Sequence, residues 1–362
     1  MASPPDLSPP DHLPKGRTPV QRGLDLQTIS IYAPVVSQLA QVEEHLRELC
    51  QTDIADLDPL LDYALRSGGK RVRPALTLLA AEFREHERQL SLIMAAAVEL
   101  LHLATLIHDD TVDNAGLRRG KPTINKLYGN HVAVLLGDYL FATSATFVCD
   151  TGVIRVIRRF SETIMELASG QLIEFFTTFD PSKARRLYDE RIYRKTASLF
   201  CTSAESGAIL SGAPEHEVQA LRHYGYNVGM AFQIVDDLLD VQGDTAEVGK
   251  PVGNDLLQGV LTLPSIMLME RYPDDHPIDA LFAEIKNGGP DSGSSPGSRS
   301  SDVDRLLNKS LDMITDSGII PDCFAIIREY CTAAATALDD FPDCPPRRSL
   351  LEMVDYIRER TR

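Results

Sequence analysis

From Ile29 onward, apolar residues recur every three or four positions with few interruptions. QLAQVEEHLREL (residues 38–49), DPLLDYALRSG (58–68), MAAAVELLHLATLI (94–107), HVAVLLGDYLFATSATFV (131–148) and EVQALRHYGYNVGMAFQIVDDLLDV (217–241) all show this spacing. It places the apolar side chains along one face of a helix. No run alternates clearly enough to predict a strand, and nothing repeats at a fixed period. Helices are expected to resume near Asp302 and to continue to Arg360, with a break at FPDCPP. The pattern predicts an all-α protein with a single helical domain. Its longest apolar run, Leu90–Ile107, contains Glu99 and His102. It therefore predicts a buried bundle helix rather than a membrane span, which wants roughly twenty uninterrupted apolar residues.

Composition refines this picture. Residues 1–28 are Pro-rich and polar and predict a disordered tail, leaving 29–362 as the folded domain. Within it, NGGPDSGSSPGSRSS (287–301) predicts a flexible insertion between helices. A chain of 362 residues, 43% of them hydrophobic, can bury a sizeable core. The net charge of -16 argues against nucleic acid as the main partner but leaves room for a small anion held by local arginines or metal ions. Six cysteines without CxxC pairs, and an N-terminus without a basic start and apolar core, lead us to expect reduced thiols and a cytoplasmic protein.

Three stretches carry chemistry. LIHDDTVDNAGLRRGKPT (106–123) ends the most apolar predicted helix in Asp109, Asp110 and Asp113, with Arg118 and Arg119 just behind. Asp109 and Asp113, four apart, share a helix face, and three carboxylates in one turn repel unless a cation sits among them. FQIVDDLLDVQGD repeats the spacing with Asp236, Asp237 and Asp240, again at the end of a long apolar helix. Two such clusters facing each other across a bundle could hold several magnesium ions, because carboxylate oxygens suit hard cations. A third triplet, DDFPD (339–343), is interrupted by Pro342 and predicts only a helix end and turn. SGGKRVRP (67–74) places Lys70, Arg71 and Arg73 on the first turn of a predicted helix, a second anion cradle.

These motifs, in order, resemble the trans-isoprenyl diphosphate synthases of the polyprenyl synthetase family: GGKR at 68–71, DDTVD at 109–113, RRG at 118–120, KT at 195–196, FQ at 232–233, DDLLD at 236–240 and GKPVGNDL at 249–256. The resemblance implies an all-α bundle around a deep central cavity, usually a homodimer, working with magnesium. It implies that Asp109, Asp110, Asp113, Asp236, Asp237 and Asp240 hold Mg2+ on an allylic diphosphate, helped by Arg118, Lys195 and Lys250. Isopentenyl diphosphate would lie on Lys70, Arg73, His102 and Arg119. A lone histidine on an apolar helix is commonly a core residue; the family's use of a polar contact there favours function for His102. Thr196 and Gln233 match positions that face the carbocation.

By the same resemblance the growing chain runs down the DDTVD helix, so Ala104 and Thr105, one turn before Asp109, set product length. Short-chain synthases have an aromatic floor there. This chain leaves it open, with Phe141 or Phe147 as a deeper floor, which implies a long-chain product of roughly six to ten isoprene units by extrapolation from the family and from turn spacing, delivered to a membrane. The alternative is a farnesyl or geranylgeranyl product. Two departures stand out. Val260 replaces a lysine frequent in relatives, and Gly170–Gln171 stands where relatives often have Gly-Glu. A class I terpene cyclase would not need the second cradle, and a non-catalytic partner subunit would be expected to lose one aspartate cluster.

Overall fold

The computed structural model describes residues 30–49, 51–66, 69–242, 252–287 and 301–359. The predicted tail, almost all of the Gly/Ser insertion and Lys250 lie outside the described residues. A 3-10 turn (Ala33–Val35) leads into α1 (Val36–Glu48), α2 (Asp58–Leu65), α3 (Val72–Ala81) and α4 (Arg88–Val112). After a hairpin follow α5 (Ile124–Tyr128), α6 (Asn130–Asp150), α7 (Ile154–Thr177), α8 (Pro181–Ile192), α9 (Ser198–Leu210) and α10 (Glu215–Gln242). The chain ends with α11 (Asn254–Leu257), α12 (Leu263–Arg271), α13 (Ile278–Asn287), α14 (Ser301–Asp316), α15 (Ile319–Thr336) and α16 (Pro345–Glu359). The all-α expectation holds.

Local chemistry sets these boundaries. Pro59 and Pro181 sit in the first turns of α2 and α8, where a missing N–H costs nothing. Asp180 caps α8 by accepting from the Ser182 N–H at 3.1 Å. Thr262 and Ser265 form a reciprocal cap on α12. DDFPD lies between α15 and α16, as Pro342 predicted. The sequence showed no strand, yet β1 (Leu117–Arg118) pairs antiparallel with β2 (Lys121–Pro122). Two residues per strand leave no alternation to read. Arg119 and Gly120, at φ 50° and 73°, make the turn of opposite hand that two-residue hairpins favour.

α4 packs most extensively on α6, and α9 on α10 and α3, placing α4, α9 and α10 at the centre. By length and composition α4 and α6 could each cross a membrane; 67% of the apolar window of α4 is buried within the bundle but only 33% of that of α6. The expected buried bundle helix is therefore found at α4.

Below the aspartate end of α4 lies a second hydrophobic cluster, distinct from the main core. Met94, Ala97, Val98 and Leu101 of α4 meet Val148 of α6, Val156 and Phe160 of α7, and Leu199 and Leu210 of α9. Phe141 and Phe147 pack against both clusters. At about 1.5 Å per residue, Met94 stands about 22 Å along the axis from Asp109.

Candidate active site

The apolar run of α4 delivers its three aspartates to the helix end, where Asp113 is the C-cap. Asp110 is buried, and Arg118 grips both its oxygens through Nε at 2.9 and 2.8 Å. The short hairpin exists at the right place to bring that guanidinium back onto α4. Asp109 is only partly compensated. Burial pushes its carboxyl up to about 6, Asp113 and Glu174 push the same way, and Lys195 and Arg118 oppose them.

Lys195 and Thr196 lie on a single π-helical turn, Tyr193–Ala197, inserted between α8 and α9. Such turns widen a helix and re-aim its side chains. Gly170 of α7 makes room for it: a Cβ there would stand 2.7 Å from the Lys195 backbone nitrogen. Lys195 Nζ pairs with Glu174. Burial alone would lower the Lys195 ammonium, but Glu174 and Asp109 outweigh it and raise its pKa. One residue on, the Thr196 hydroxyl donates to Gln233 Oε1 at 2.5 Å. The π turn thus faces the first aspartate cluster with Lys195 and the second helix with Thr196.

The second cluster ends α10. Asp237 is buried and accepts from the Tyr188 hydroxyl at 2.6 Å and Gln233 Nε2 at 2.9 Å. Asp240 accepts from the Asp255 N–H at 3.2 Å and, through its carbonyl, from the Gly253 N–H at 2.7 Å. Asp236 is close enough to Arg73 to act on its charge. Among the described residues, no three carboxylate, imidazole or thiol groups converge closely enough to hold an ion unaided. Asp110 is turned to Arg118, and Asp237 to Tyr188 and Gln233. The donor set still fits a hard divalent cation. It is all carboxylate, Asp109 is only partly compensated by Lys195 and Arg118, and such ions commonly complete their shell with substrate phosphate.

Arg71 is a correction to the basic cradle. It takes φ 50° at the start of α3, and its guanidinium is turned inward onto Glu43 of α1 and Glu99 of α4, each at 2.5 Å. Lys70 contacts the hydroxyl of Tyr356 and lies 4.7 Å from its ring centroid, while its carbonyl accepts from Tyr32 at 2.8 Å. Arg73 rests 4.6 Å above the Phe200 ring, with its Nε enclosed and without a hydrogen-bond partner. Burial lowers its pKa to about 10, against Glu99 and Asp236. The hairpin's Arg119 reaches the same place: a Cβ on Gly69 would stand 3.2 Å from its guanidinium. His102 is pushed well below its ordinary value by burial first, then by Arg73, Arg119, Arg118 and Arg71. The structure therefore gathers Arg73, His102 and Arg119, from three separate segments, around a neutral imidazole.

Ala104 is fully buried, and the Thr105 hydroxyl donates back to the His102 carbonyl at 2.7 Å. Val260 donates its N–H to the Asp255 carbonyl at 2.8 Å. Gln171 reaches Glu174 weakly, at 3.4 Å, with Oε1 enclosed and without a partner. Glu174 and Tyr188 were not singled out from the sequence. Glu174 lies one turn after Gly170 on the same face of α7, a detectable signal; Tyr188 sits in a highly charged helix with none.

A family model described as Polyprenyl synthetase matches residues 55–288. The nonaprenyl diphosphate synthase of Mycobacterium tuberculosis is 35% identical over 349 residues, 95% of this chain and 99% of that protein. The crystal structure of a decaprenyl diphosphate synthase from Rhodobacter capsulatus matches with a TM-score of 0.81 at 34% identity, covering 92% of this chain and 99% of the other. A polyprenyl synthase from Caulobacter crescentus CB15, complexed with calcium and isoprenyl diphosphate, gives a TM-score of 0.82 at 29% identity over 91% of this chain and 97% of the other. The chain belongs to the polyprenyl synthetase family. It is a trans-prenyltransferase, an enzyme class that joins isoprenyl diphosphates head to tail and uses a divalent metal.

Proposed function

We propose that this enzyme condenses isopentenyl diphosphate onto an allylic diphosphate with Mg2+, giving an all-trans long-chain polyprenyl diphosphate. The observation that carries this reading is the pairing of two unlike anion sites at one end of the bundle. One is built from carboxylates with Lys195 and Arg118, the other from Arg73, His102 and Arg119 with Lys70 beside them.

Asp109, Asp113, Asp236 and Asp240 would hold Mg2+, with Asp110 and Asp237 behind them. Bound there with the allylic diphosphate, the metal compensates the charge that develops on the leaving group. Lys195 adds a cation on the same side, and Lys250 belongs to this set by its place in the motif. Lys70, Arg73 and Arg119 hold the diphosphate of isopentenyl diphosphate. Neutral His102 donates an N–H to it without adding a fifth positive charge among the arginines. Thr196 and Gln233 present oxygens to the allylic carbocation in a site enclosed by α4, α9 and α10. The double bond of isopentenyl diphosphate attacks that carbon, and the proton is lost to the departing diphosphate.

The long-chain assignment rests on Ala104 and Thr105, which place no aromatic wall below Asp109, and on the second hydrophobic cluster further down α4. The enzyme acts in the cytoplasm as a homodimer and passes its product to a membrane. Leu135, Met165, Leu172, Phe175 and Phe176 of α6 and α7 are all more than half exposed, an apolar surface that a second copy would cover.

Lys70→Ala and Arg73→Ala test the division of the two sites. Each raises KM for isopentenyl diphosphate about tenfold to a hundredfold, the worth of one charge-assisted hydrogen bond, with KM for the allylic substrate little changed. Steady-state kinetics with each substrate varied in turn checks this; a rise confined to the allylic KM reverses the assignment.

A further inference from the structure

Four side chains from three segments form one chain of hydrogen bonds. Tyr188 of α8 donates to Asp237 Oδ2 at 2.6 Å, Gln233 Nε2 donates to Asp237 Oδ1 at 2.9 Å, and Thr196 Oγ1 donates to Gln233 Oε1 at 2.5 Å. A further backbone hydrogen bond to Asp237 comes from Leu263. Tyr188 and Asp237 are 2% and 3% exposed, so neither exchanges these partners for water.

The direction of the chain follows from donor and acceptor capacity. Tyr188, Gln233 and the Leu263 backbone supply three donors to the two Asp237 oxygens, so the Tyr188 and Gln233 hydrogens both point at Asp237. With its NH2 committed, the Gln233 amide turns its oxygen towards Thr196. That oxygen only accepts, so the single Thr196 hydroxyl hydrogen is used on it. What Thr196 has left is lone pairs. They attract a cation and repel a phosphate oxygen.

We propose that Tyr188 is a positioning residue for the condensation, holding Asp237 and Gln233 so that Thr196 offers only lone pairs to the developing carbocation. Asp237 serves this chain rather than the metal. The inference deepens the reading of the site given above and rests on it. Both Asp237 oxygens are engaged by donors from α8, α10 and the first residue of α12. Removing the Tyr188 hydroxyl frees the carboxylate to turn, and the amide and hydroxyl behind it lose their single orientation. A transition state that needs a fixed dipole suffers from this, whereas ground-state binding of two diphosphates does not.

The test is a kinetic comparison of the full-length enzyme with Tyr188→Phe, Asp237→Asn and Asp236→Asn, each titrated with Mg2+ and with both substrates. Tyr188→Phe keeps the buried ring; its kcat falls ~10-fold or more, with both KM values and the half-saturating Mg2+ concentration within about twofold. In Asp237→Asn the new amide donates to Gln233 and reverses the chain. Thr196 then points its hydrogen at the cation, and kcat falls ~100-fold with the Mg2+ requirement unchanged. Asp236→Asn, by contrast, raises the half-saturating Mg2+ concentration. A Tyr188→Phe enzyme with kcat within twofold of wild type overturns the proposal. So does an Asp237→Asn enzyme whose Mg2+ requirement rises as in Asp236→Asn, and this variant decides the matter if Tyr188→Phe does not fold. Absence of condensation by the wild-type enzyme is a separate outcome, which removes the reading of the whole site.

Discussion

Asp109→Ala and Asp236→Ala each lower kcat by about 10²–10³-fold or more, the scale expected when a preorganised charge is removed from the reacting centre. Asp109 also makes a distinctive stability prediction. Its carboxyl is raised to about 6, chiefly by burial, with Asp113 and Glu174 repelling it. Such a group costs the fold stability, so Asp109→Ala leaves the melting temperature unchanged or higher while turnover falls. Functional sites commonly trade stability for activity in this way. Circular dichroism melts beside steady-state rates in Mg2+ check both halves. Near-normal turnover in either variant would remove the aspartates from the mechanism, and a large loss of melting temperature in Asp109→Ala would show that its charge is well compensated.

Ala104→Phe changes the product rather than the rate. Ala104 is fully buried, five residues before Asp109 on the helix along which the chain is proposed to grow. The second hydrophobic cluster, which includes Met94, Phe160 and Leu199, lies further down α4, with Met94 about 22 Å from Asp109 along the axis, or roughly four helical turns. A phenyl ring at 104 moves the wall up to the first of those turns and stops growth at farnesyl or geranylgeranyl diphosphate. Overpacking a closed site costs about 1–3 kcal/mol, so the melting temperature falls modestly, and product length must be read at a temperature where the variant is folded. Chain-length analysis of the products decides it. An unchanged distribution places the wall elsewhere, with Phe141 and Phe147 next to be tested.

The parts of this molecule that were legible in the sequence are those governed by local periodicity. α4 and α10 announce themselves by apolar spacing, and their aspartates by the abrupt change to charge at the end of each run. Gly69, Lys70 and Arg73 were legible as a candidate anion cradle because glycine and basic residues fall together. What the sequence concealed depends on which side chains the fold brings together. Arg71 reads as a third cradle cation until Glu43 and Glu99 are seen to hold it, each 28 residues away. Asp110 and Asp237 look equivalent to their neighbours. Arg118 and Tyr188 set them apart, and only the fold brings those two side chains onto them. The π turn at 193–197 is invisible for a different reason. Its residues form an ordinary helix pattern, and the widening is imposed by packing against Gly170 and α10.

The most direct test of the central claim is one incubation of the purified enzyme with labelled isopentenyl diphosphate, farnesyl diphosphate and Mg2+, followed by chain-length analysis by mass spectrometry. The account predicts all-trans polyprenyl diphosphates longer than geranylgeranyl, centred at roughly six to ten isoprene units by extrapolation from the family and from turn spacing, and none when Mg2+ is withheld. A product that stops at geranylgeranyl diphosphate would contradict the long-chain assignment. A cyclised hydrocarbon, or no incorporation of label at all, would contradict the condensation itself.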